Sequence, residues 1–335
     1  MRCCSRDFYF RKSCTQGYFL DLAPLVRKAT DLEPSRFFAP ATLEAVSHNG
    51  QLWSIPIYIN PRVTYYNNDL FSNMGLLNPS QLGDAWTWAT MRESARKITR
   101  DTNGDGTIDI FGIENLSYYL GWQQLIHQAG GQMYDRIVAP TESRFLTSAV
   151  ETAVELARQL MVEDRVVGGS FAQGTAAIST TNGPSILAGL ESAPFSWDIE
   201  LQPMGPFSRA SAFGIGGFQI TKDSKEQEAA FKWIRFLTLE KESAGNYVRS
   251  TGRIPPLRSL QPDFPRLVPD LPNNWSAFSR TVEAPNSFTL YVITKKSGEI
   301  TGIVNNTLAQ VWNGTMPTRV ALESIHDQVT ALLKD

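Results

Sequence analysis

Amphipathic helices alternate with short apolar strands along most of this chain, and the alternation limits the folds that are open to it. Apolar residues recur with a helical period of about 3.6 in segments 150–161, 229–237 and 322–333. Shorter apolar runs, each bounded by Gly, Pro, Asn or Asp, occur at 52–55, 63–66, 176–180 and 213–220. The pattern predicts an α/β fold whose sheets are buried on both faces.

Two segments indicate lobes joined by crossing strands rather than domains in series. The 335 residues correspond to roughly two domains at about 150 residues each. Residues 57–61 connect two predicted strands without a helix between them, and the glycine-rich run 213–218 has the features of a second crossing. Glycine weakens a strand unless the backbone must closely approach something, either a ligand or a tight bend. We therefore predict two α/β lobes with a hinge of crossing strands.

Charge and composition argue against several classes of protein. Lys and Arg number 31 against 33 Asp and Glu, for a net charge of −2, so no overall positive field would attract nucleic acid. No run of about 18 apolar residues occurs, and the sequence therefore predicts no membrane span. Asp7, Arg11 and Lys12 interrupt the apolar run that a signal peptide needs, so we expect no export signal in the chain as written.

Cysteine and histidine give little support to a zinc centre or a nucleophilic triad. The three histidines are scattered singly, without the spacing of a metal site. Cys3, Cys4 and Cys14 all lie near the N-terminus, where we expect unpaired thiols in a loose segment.

The most specific local motif runs from residue 101 to 109 and reads Asp-Thr-Asn-Gly-Asp-Gly-Thr-Ile-Asp. Side-chain oxygens at alternate positions of such a loop converge on a hard cation, and Gly106 permits its sharp turn. Gly112 stands where an EF-hand has a bidentate Glu, so the loop either borrows a distant ligand such as Glu114 or is a metal-free Asx-rich turn. The predicted ligands of a structural calcium ion are Asp101, Asn103, Asp105, Thr107 through its carbonyl, and Asp109. We expect no other cofactor.

A series of short motifs resembles the extracellular solute-binding proteins of ABC sugar importers, the group that includes maltose-binding protein. No motif is specific alone, but their order and spacing extend over roughly residues 17 to 335. In chain order they lie at 53–58, 65–71, 75–76, 87–88, 130–131, 171–178, 183–184, 216–220, 232–237, 252–255 and 314–333.

The resemblance implies a two-lobed periplasmic-binding-protein-like fold of type II. Lobe one would comprise residues 1–60 and 218–285, and lobe two residues 61–217 and 286–335. Members of this family usually begin with a strand, a helix and a second strand that have no counterpart here. We therefore expect an N-terminally truncated first lobe, preceded by residues 1–16 that match nothing in the family.

A cleft between the lobes is where the resemblance places the ligand, and the residues expected there suit a sugar. Aromatic faces stack on the C–H side of pyranose rings, while Asn, Arg and open backbone N–H groups bind hydroxyls. The predicted ligand-binding residues are Tyr58, Asn60, Tyr119, Trp122, Asn182, Gly183, Gly216, Gly217 and Arg253. Tyr58 and Trp122 could instead have a packing role, and the glycines could simply form turns.

The expected function is delivery of a sugar, oligosaccharide or polyol to the permease subunits of an ABC transporter, by a monomer and without chemical conversion. The resemblance places such proteins in the periplasm or at the cell surface. A glycoside hydrolase needs two carboxylates that face each other across a sugar, and segments 57–60, 182–185 and 213–218 contain no Asp or Glu. The alternatives are a hydrolase-like enzyme and a truncated remnant of the family that binds nothing.

Overall fold

The structure is a computed structural model of the chain. It describes residues 3–4, 17–29, 33, 42–43, 46–48, 50–117, 119–136, 139–268, 271–284, 287–289, 294 and 296–334. Its strands are β1 (Cys3–Cys4), β2 (Ser47–His48), β3 (Gln51–Leu52), β4 (Ile55–Pro61), β5 (Thr64–Asn67), β6 (Phe111–Ile113), β7 (Ala176–Ser179), β8 (Trp197–Glu200), β9 (Ala212–Phe218) and β10 (Phe288–Thr289).

One sheet is arranged around β9, which has neighbours on both edges. Strand β4 pairs with β9 in antiparallel fashion, from Ile55 opposite Phe218 to Pro61 opposite Phe213. On the other edge, β1 pairs with the end of β9 and β10 runs parallel to its start. The two segments that the sequence predicts as crossings are therefore directly hydrogen-bonded neighbours.

A second sheet has the strand order β6-β7-β5-β8. Strand β7 is parallel to β6 and antiparallel to β5, and β8 is antiparallel to β5. A separate short hairpin joins β2 to β3. All four residues of β5 and of β7 are buried, as the continuous apolar runs predict for strands covered on both faces.

The described helices cover the sheets and carry most of the remaining core. They are α1 (Ala23–Lys28), α2 (Asn68–Asn73), α3 (Pro79–Leu82), α4 (Trp88–Ile98), α5 (Tyr119–Gln128), α6 (Ser148–Arg158), α7 (Leu187–Leu190), α8 (Gln227–Leu239), α9 (Lys241–Thr251), α10 (Phe264–Leu267), α11 (Ser276–Glu283), α12 (Ser297–Trp312) and α13 (Thr318–Lys334). Local chemistry sets several ends: Thr87 and Thr90 form a reciprocal capping box at the start of α4, and Gly252 ends α9 with a φ of 64°. None of these helices is long and apolar enough to cross a bilayer.

Buried apolar side chains of the described residues form three clusters. The first surrounds β4 and β9 and includes α8, α9 and α11. The second joins α5, α6, α12 and α13, and the third lies between α4 and the second sheet. The first cluster also contains Tyr65, Phe171 and Ile199, which belong to the predicted lobe two, so the apolar core is continuous behind the crossing strands. The predicted lobe boundaries stay a prediction.

A buried polar network centred on Asn274 joins the segment before α11 to the edge strand β8. Its backbone N–H donates to Asp198 Oδ1 at 3.1 Å, and its side-chain Nδ2 donates to Ile199 O at 3.0 Å and Glu200 Oε2 at 2.8 Å. Ser80 donates to the same Glu200 oxygen at 3.1 Å. Burial raises the pKa of the Asp198 carboxyl. Asn274 therefore donates to two buried carboxylates, which would be costly to desolvate without such partners.

The structure corrects two expectations about the N-terminal third. The apolar run 52–55 is not one strand, because β3 ends at Leu52 and β4 begins at Ile55. Cys3 and Cys4 form a strand opposite Phe218 and Gly217 rather than a loose end, while Cys14 lies outside the described residues. Backbone pairing with the edge of β9 explains this, because an unpaired edge has free N–H and C=O groups.

His127 lies near the end of α5 and is stacked on Phe288 of β10, with ring centroids 3.6 Å apart and an angle of 13° between the rings. The stack joins a helix of the second cluster to the sheet that contains the crossing strands. Burial lowers the pKa of His127 from 6.5 to about 4. The folded protein therefore holds this imidazole neutral at pH values where an unfolded chain would protonate it.

We predict that acid weakens the fold through His127. Because the folded-state pKa lies below the unfolded one, stability is full above about pH 6.5 and falls as the pH drops to about 4, by up to roughly 3 kcal/mol. The free energy of unfolding in urea, measured between pH 4 and pH 7, should fall more steeply for the wild type than for His127→Phe, which keeps the ring stack. Equal pH slopes in the two proteins would contradict the assignment.

Candidate functional site

The crossing strands β4 and β9 fit together because one of them lacks side chains where the other is bulky. Tyr58 lies opposite Gly216, and a Cβ atom at residue 216 would overlap the Cε1 and Cζ atoms of the Tyr58 ring. At the next position, a Cβ on Gly217 would overlap Ser54 Oγ. These glycines therefore leave backbone open to tyrosine and serine, which corrects the expectation that they leave it open to a ligand.

Tyr58 is covered by two further side chains. Its ring is stacked on that of Tyr247, with centroids 6.5 Å apart and an angle of 13°, and the guanidinium carbon of Arg253 lies 4.1 Å from its centroid. Only 7% of Tyr58 is exposed, so its ring is not the open stacking platform that the sequence predicted. The partly exposed Arg253 stands at the surface of this stack instead.

Asn60, two residues after Tyr58 on the same strand face, lies over Gly183. A Cβ on Gly183 would overlap Asn60 Oδ1, and it would lie 2.5 Å from Arg62 Nη1. The Gly183 carbonyl accepts a hydrogen bond from the Tyr65 hydroxyl at 2.9 Å. The Asn60 Oδ1 atom itself is buried and has no hydrogen-bond partner among the described residues. Because this atom is closed off from solvent in this conformation, a hydroxyl donor can pair with it only when the surrounding elements move apart.

Asn182 contacts the carboxylate of Glu114, which the sequence suggested as a distant ligand of loop 101–109. Its Nδ2 donates to Glu114 Oε2 at 2.7 Å and to Ser179 Oγ at 2.8 Å. The other Glu114 oxygen accepts the backbone N–H of Phe171 at 3.0 Å. Both Glu114 oxygens thus accept hydrogen bonds within the protein, and the suggestion that Glu114 is a distant ligand of the calcium loop stays a prediction.

Two buried glutamines donate to the residue that follows β7, and one of them also bonds to the start of β9; neither was predicted from the sequence. Gln124 donates to the Thr180 carbonyl at 2.9 Å and accepts from Ser211 Oγ at 3.1 Å. Gln202 donates to the same Thr180 carbonyl at 2.9 Å. A polar residue on the apolar face of a helix was the available signal for Gln124, since it falls between Trp122 and the apolar pair 125–126.

Trp122 and Tyr119 do not form the aromatic platform that was predicted for α5. Trp122 is 1% exposed and packs in the second core cluster, which corrects its assignment as a binding residue. Tyr119 begins α5, and its side chain lies outside the described residues. Of the two tryptophans near α4, Trp86 is fully buried, and Trp88 donates to Gln128 Oε1 at 2.6 Å, in line with a structural role.

The loop 101–109 is exposed and is organised by its own carboxylates. Asp101 accepts backbone N–H groups from Gly104 at 2.7 Å and Gly106 at 2.8 Å, which lower its pKa. Asp109 accepts from Thr102, and Asp105 accepts from the Thr107 N–H at 2.7 Å. Within the described ranges, no three His, Cys, Asp or Glu side chains are grouped closely enough to hold a metal. Asn103 and the other predicted oxygens therefore form an Asx-rich turn, and calcium remains a prediction.

Comparison with known proteins identifies a matching family. The model of a family described as bacterial extracellular solute-binding protein matches residues 9–276, which is most of the chain. The family model therefore also matches residues 9–16, which corrects the expectation that residues 1–16 match nothing in the family.

Two curated relatives align with parts of the chain. The mannitol-binding protein of Pseudomonas aeruginosa is 33% identical over 73 residues, which cover 22% of this chain and 16% of that protein. A putative binding protein of Brucella abortus is 23% identical over 229 residues, covering 65% of this chain and 53% of the relative. The chain thus spans about half the length of the second relative and less of the first.

A solved structure covers nearly the whole chain. An ABC substrate-binding protein from Listeria monocytogenes, in complex with cycloalternan, has a TM-score of 0.81 at 21% identity. The likeness extends over 98% of this chain and 83% of that one. At this identity it establishes the two-lobed α/β fold that the sequence predicted.

We predict that the Tyr58–Gly216 contact cannot accept even one methyl group. Gly216→Ala should lower the free energy of unfolding by about 1–3 kcal/mol, because the Tyr58 ring is held by Tyr247 and Arg253 and has little room to move. Gly302→Ala is the matched control: a Cβ there meets nothing within 4 Å, and in the middle of α12 it should stabilise by about 0.5–1 kcal/mol. Urea unfolding that gives both variants the same sign would contradict the packing argument.

Proposed function

Because this chain belongs to the bacterial extracellular solute-binding protein family, we propose that it binds a carbohydrate or polyol at the crossing strands and delivers it to an ABC permease. The relatives support a polyhydroxylated solute, since one is a mannitol-binding protein and another was solved with cycloalternan. Family membership also supports a place of action outside the cytoplasmic membrane. Closure of two lobes around the solute would be a shift between conformations that the ligand favours.

The single observation that carries the proposal is the unpaired acceptor at Asn60. Its Oδ1 atom is buried beside Gly183 and has no partner in the described part of the chain. Leaving a buried acceptor unpaired costs about 1–3 kcal/mol. A solute hydroxyl would remove that cost, and Arg253, which lies beside the same strand pair, has further N–H donors to offer.

We propose binding without chemical conversion. Glu114 is a carboxylate near Asn182, but both of its oxygens already accept hydrogen bonds from the protein. A second carboxylate across from it is not provided by segments 57–60, 182–185 or 213–218. The pair of acids that glycoside hydrolysis requires is therefore not supported at this site.

The test is thermal unfolding of the purified chain against mannitol, monosaccharides and oligosaccharides. A solute at 100 times its Kd stabilises the folded state by about 2.7 kcal/mol, which raises the Tm by several degrees. We expect Asn60→Ala to lower the affinity for that solute by roughly 10- to 100-fold, because one or two hydrogen bonds are lost.

Asn306→Ala is the control for this experiment, because Asn306 lies on the exposed face of α12. It should bind the same solute with unchanged affinity. Recovery of the solute unaltered after prolonged incubation would exclude turnover. A cooperative transition that no member of the panel shifts would contradict the proposed binding of carbohydrates and polyols, whereas release of a cleaved product would favour the enzyme.

We also propose that loop 101–109 binds calcium in a structural role. The carboxylates of Asp101 and Asp109, which now accept backbone N–H groups, would coordinate the cation instead. The Thr107 carbonyl would be a further ligand. Millimolar calcium should raise the Tm by a few degrees, and a chelator should reverse that rise. Asp105→Asn should lower the affinity for calcium by about 10-fold. A Tm that calcium leaves unchanged would mean that the loop is a metal-free turn.

A further inference from the structure

We propose that the solute carries a carboxylate or phosphate group and that Arg253 recognises it. This inference rests on the proposed function, because it concerns the chemistry of the molecule bound at the crossing strands. It follows from where Arg253 is held, from the charges around it, and from which edge of its guanidinium remains available.

Arg253 is fixed to the crossing strands through its neighbour. The Ile59 N–H of β4 donates to the Ile254 carbonyl at 3.0 Å, and the two residues form an antiparallel bridge. That bridge places Arg253 beside Tyr58, where its guanidinium carbon lies 4.1 Å from the ring centroid. The cation is therefore placed by backbone hydrogen bonding and by a ring contact, both independent of any ion pair.

The charge of Arg253 is not balanced by any residue in the described part of the chain. No carboxylate of the described residues lies within ion-pair distance of it, whereas Arg92 and Arg158 of the same chain pair with Asp164 and Glu155 at 2.5 and 2.6 Å. A second cation, Arg62, directly follows β4 and donates to the Asn60 carbonyl of that strand at 3.3 Å. Glu114, the carboxylate beside Asn182, is used by two protein donors. Arg253 therefore presents a positive charge beside β4 that no described carboxylate pairs with, in a chain whose net charge is −2.

The donor geometry of the guanidinium suits an anion. Its central carbon lies over the Tyr58 ring, and the N–H groups of any guanidinium point outward in its own plane. That fork matches two oxygens of a carboxylate or phosphate, and the resulting paired hydrogen bonds are about twice as strong as those between neutral groups. The cation–π contact keeps the fork in place, so little side-chain entropy is lost on binding.

Desolvation then selects against neutral solutes. A solute that covers Arg253 removes water from an unpaired cation, which is costly unless an opposite charge replaces the water. A neutral hydroxyl replaces it only in part. The acidic member of a pair of otherwise similar sugars should therefore bind more tightly.

The experiment compares matched solutes by isothermal titration calorimetry on the full chain. The pairs are glucose with glucuronate, galactose with galacturonate, glucose with glucose 6-phosphate, and glycerol with glycerol 3-phosphate. We expect at least one acidic member to bind 10-fold or more tightly than its neutral partner, and its affinity to fall as salt rises from 50 to 500 mM. Comparison of the carboxylate pairs with the phosphate pairs identifies which anion is preferred.

Variants separate recognition from folding. Arg253→Gln should reduce the affinity for the acidic solute at least 10-fold and change that for the neutral partner by a clearly smaller factor, while Arg253→Lys, which keeps the charge but loses the fork, should fall between. Arg258→Gln removes an exposed cation five residues away and should change neither affinity. The Tm of each variant shows whether it is folded. The salt dependence of binding by the wild type tests the same charge recognition without any substitution.

The outcomes distinguish this inference from the proposed function. Neutral solutes that bind as tightly as their acidic partners, or an Arg253→Gln variant that loses both equally, would overturn the charge assignment and leave carbohydrate binding intact. Absence of binding by every neutral and acidic solute would overturn both.

Discussion

Tyr58 can lie across β9 only because residue 216 has no side chain, and this contact sets the geometry of the hinge. With the ring in that place, Tyr247 and Arg253 cover it, and the Ile59–Ile254 bridge holds the turn that carries Arg253. Two residues further along β4, the Asn60 side chain lies over Gly183 in the same way. The candidate site is thus a consequence of how two strands pack, and its polar atoms are placed by backbone pairing rather than by a flexible loop.

Buried amides hold the surrounding elements in register. Gln124 and Gln202 both donate to Thr180, and Gln124 also accepts from the start of β9, so the end of β7 and the crossing strand share one hydrogen-bonded group. Asn274 performs the same task between the segment before α11 and β8. Such groups are stable in the core only when their partners are in place. They therefore favour one arrangement of the elements that meet at the crossing strands.

These features have a common bearing on function. The strand pair brings together an unpaired acceptor on Asn60, a cation on Arg253 and an amide on Asn182, with one carboxylate, Glu114, that the protein itself uses. That set of groups suits recognition of a polar solute and lacks the opposed acids of a hydrolase. Aromatic surface is used for packing, since Tyr58 is buried within the site and Trp122 is buried in the second core cluster.

The sequence by itself determined the α/β class, the crossing segments and the family resemblance, because periodicity, glycine placement and motif order are local properties of the chain. It also identified Asn60, Asn182, Gly216 and Arg253 as residues of one region. Only the tertiary structure decided what these residues do: that Tyr58 fills the space above Gly216, that Trp122 belongs to the core, and that Glu114 pairs with Asn182. The Glu114–Asn182 and Tyr58–Gly216 contacts join positions 68 and 158 residues apart, which sequence spacing cannot specify, because burial and hydrogen bonding are settled when the elements pack together.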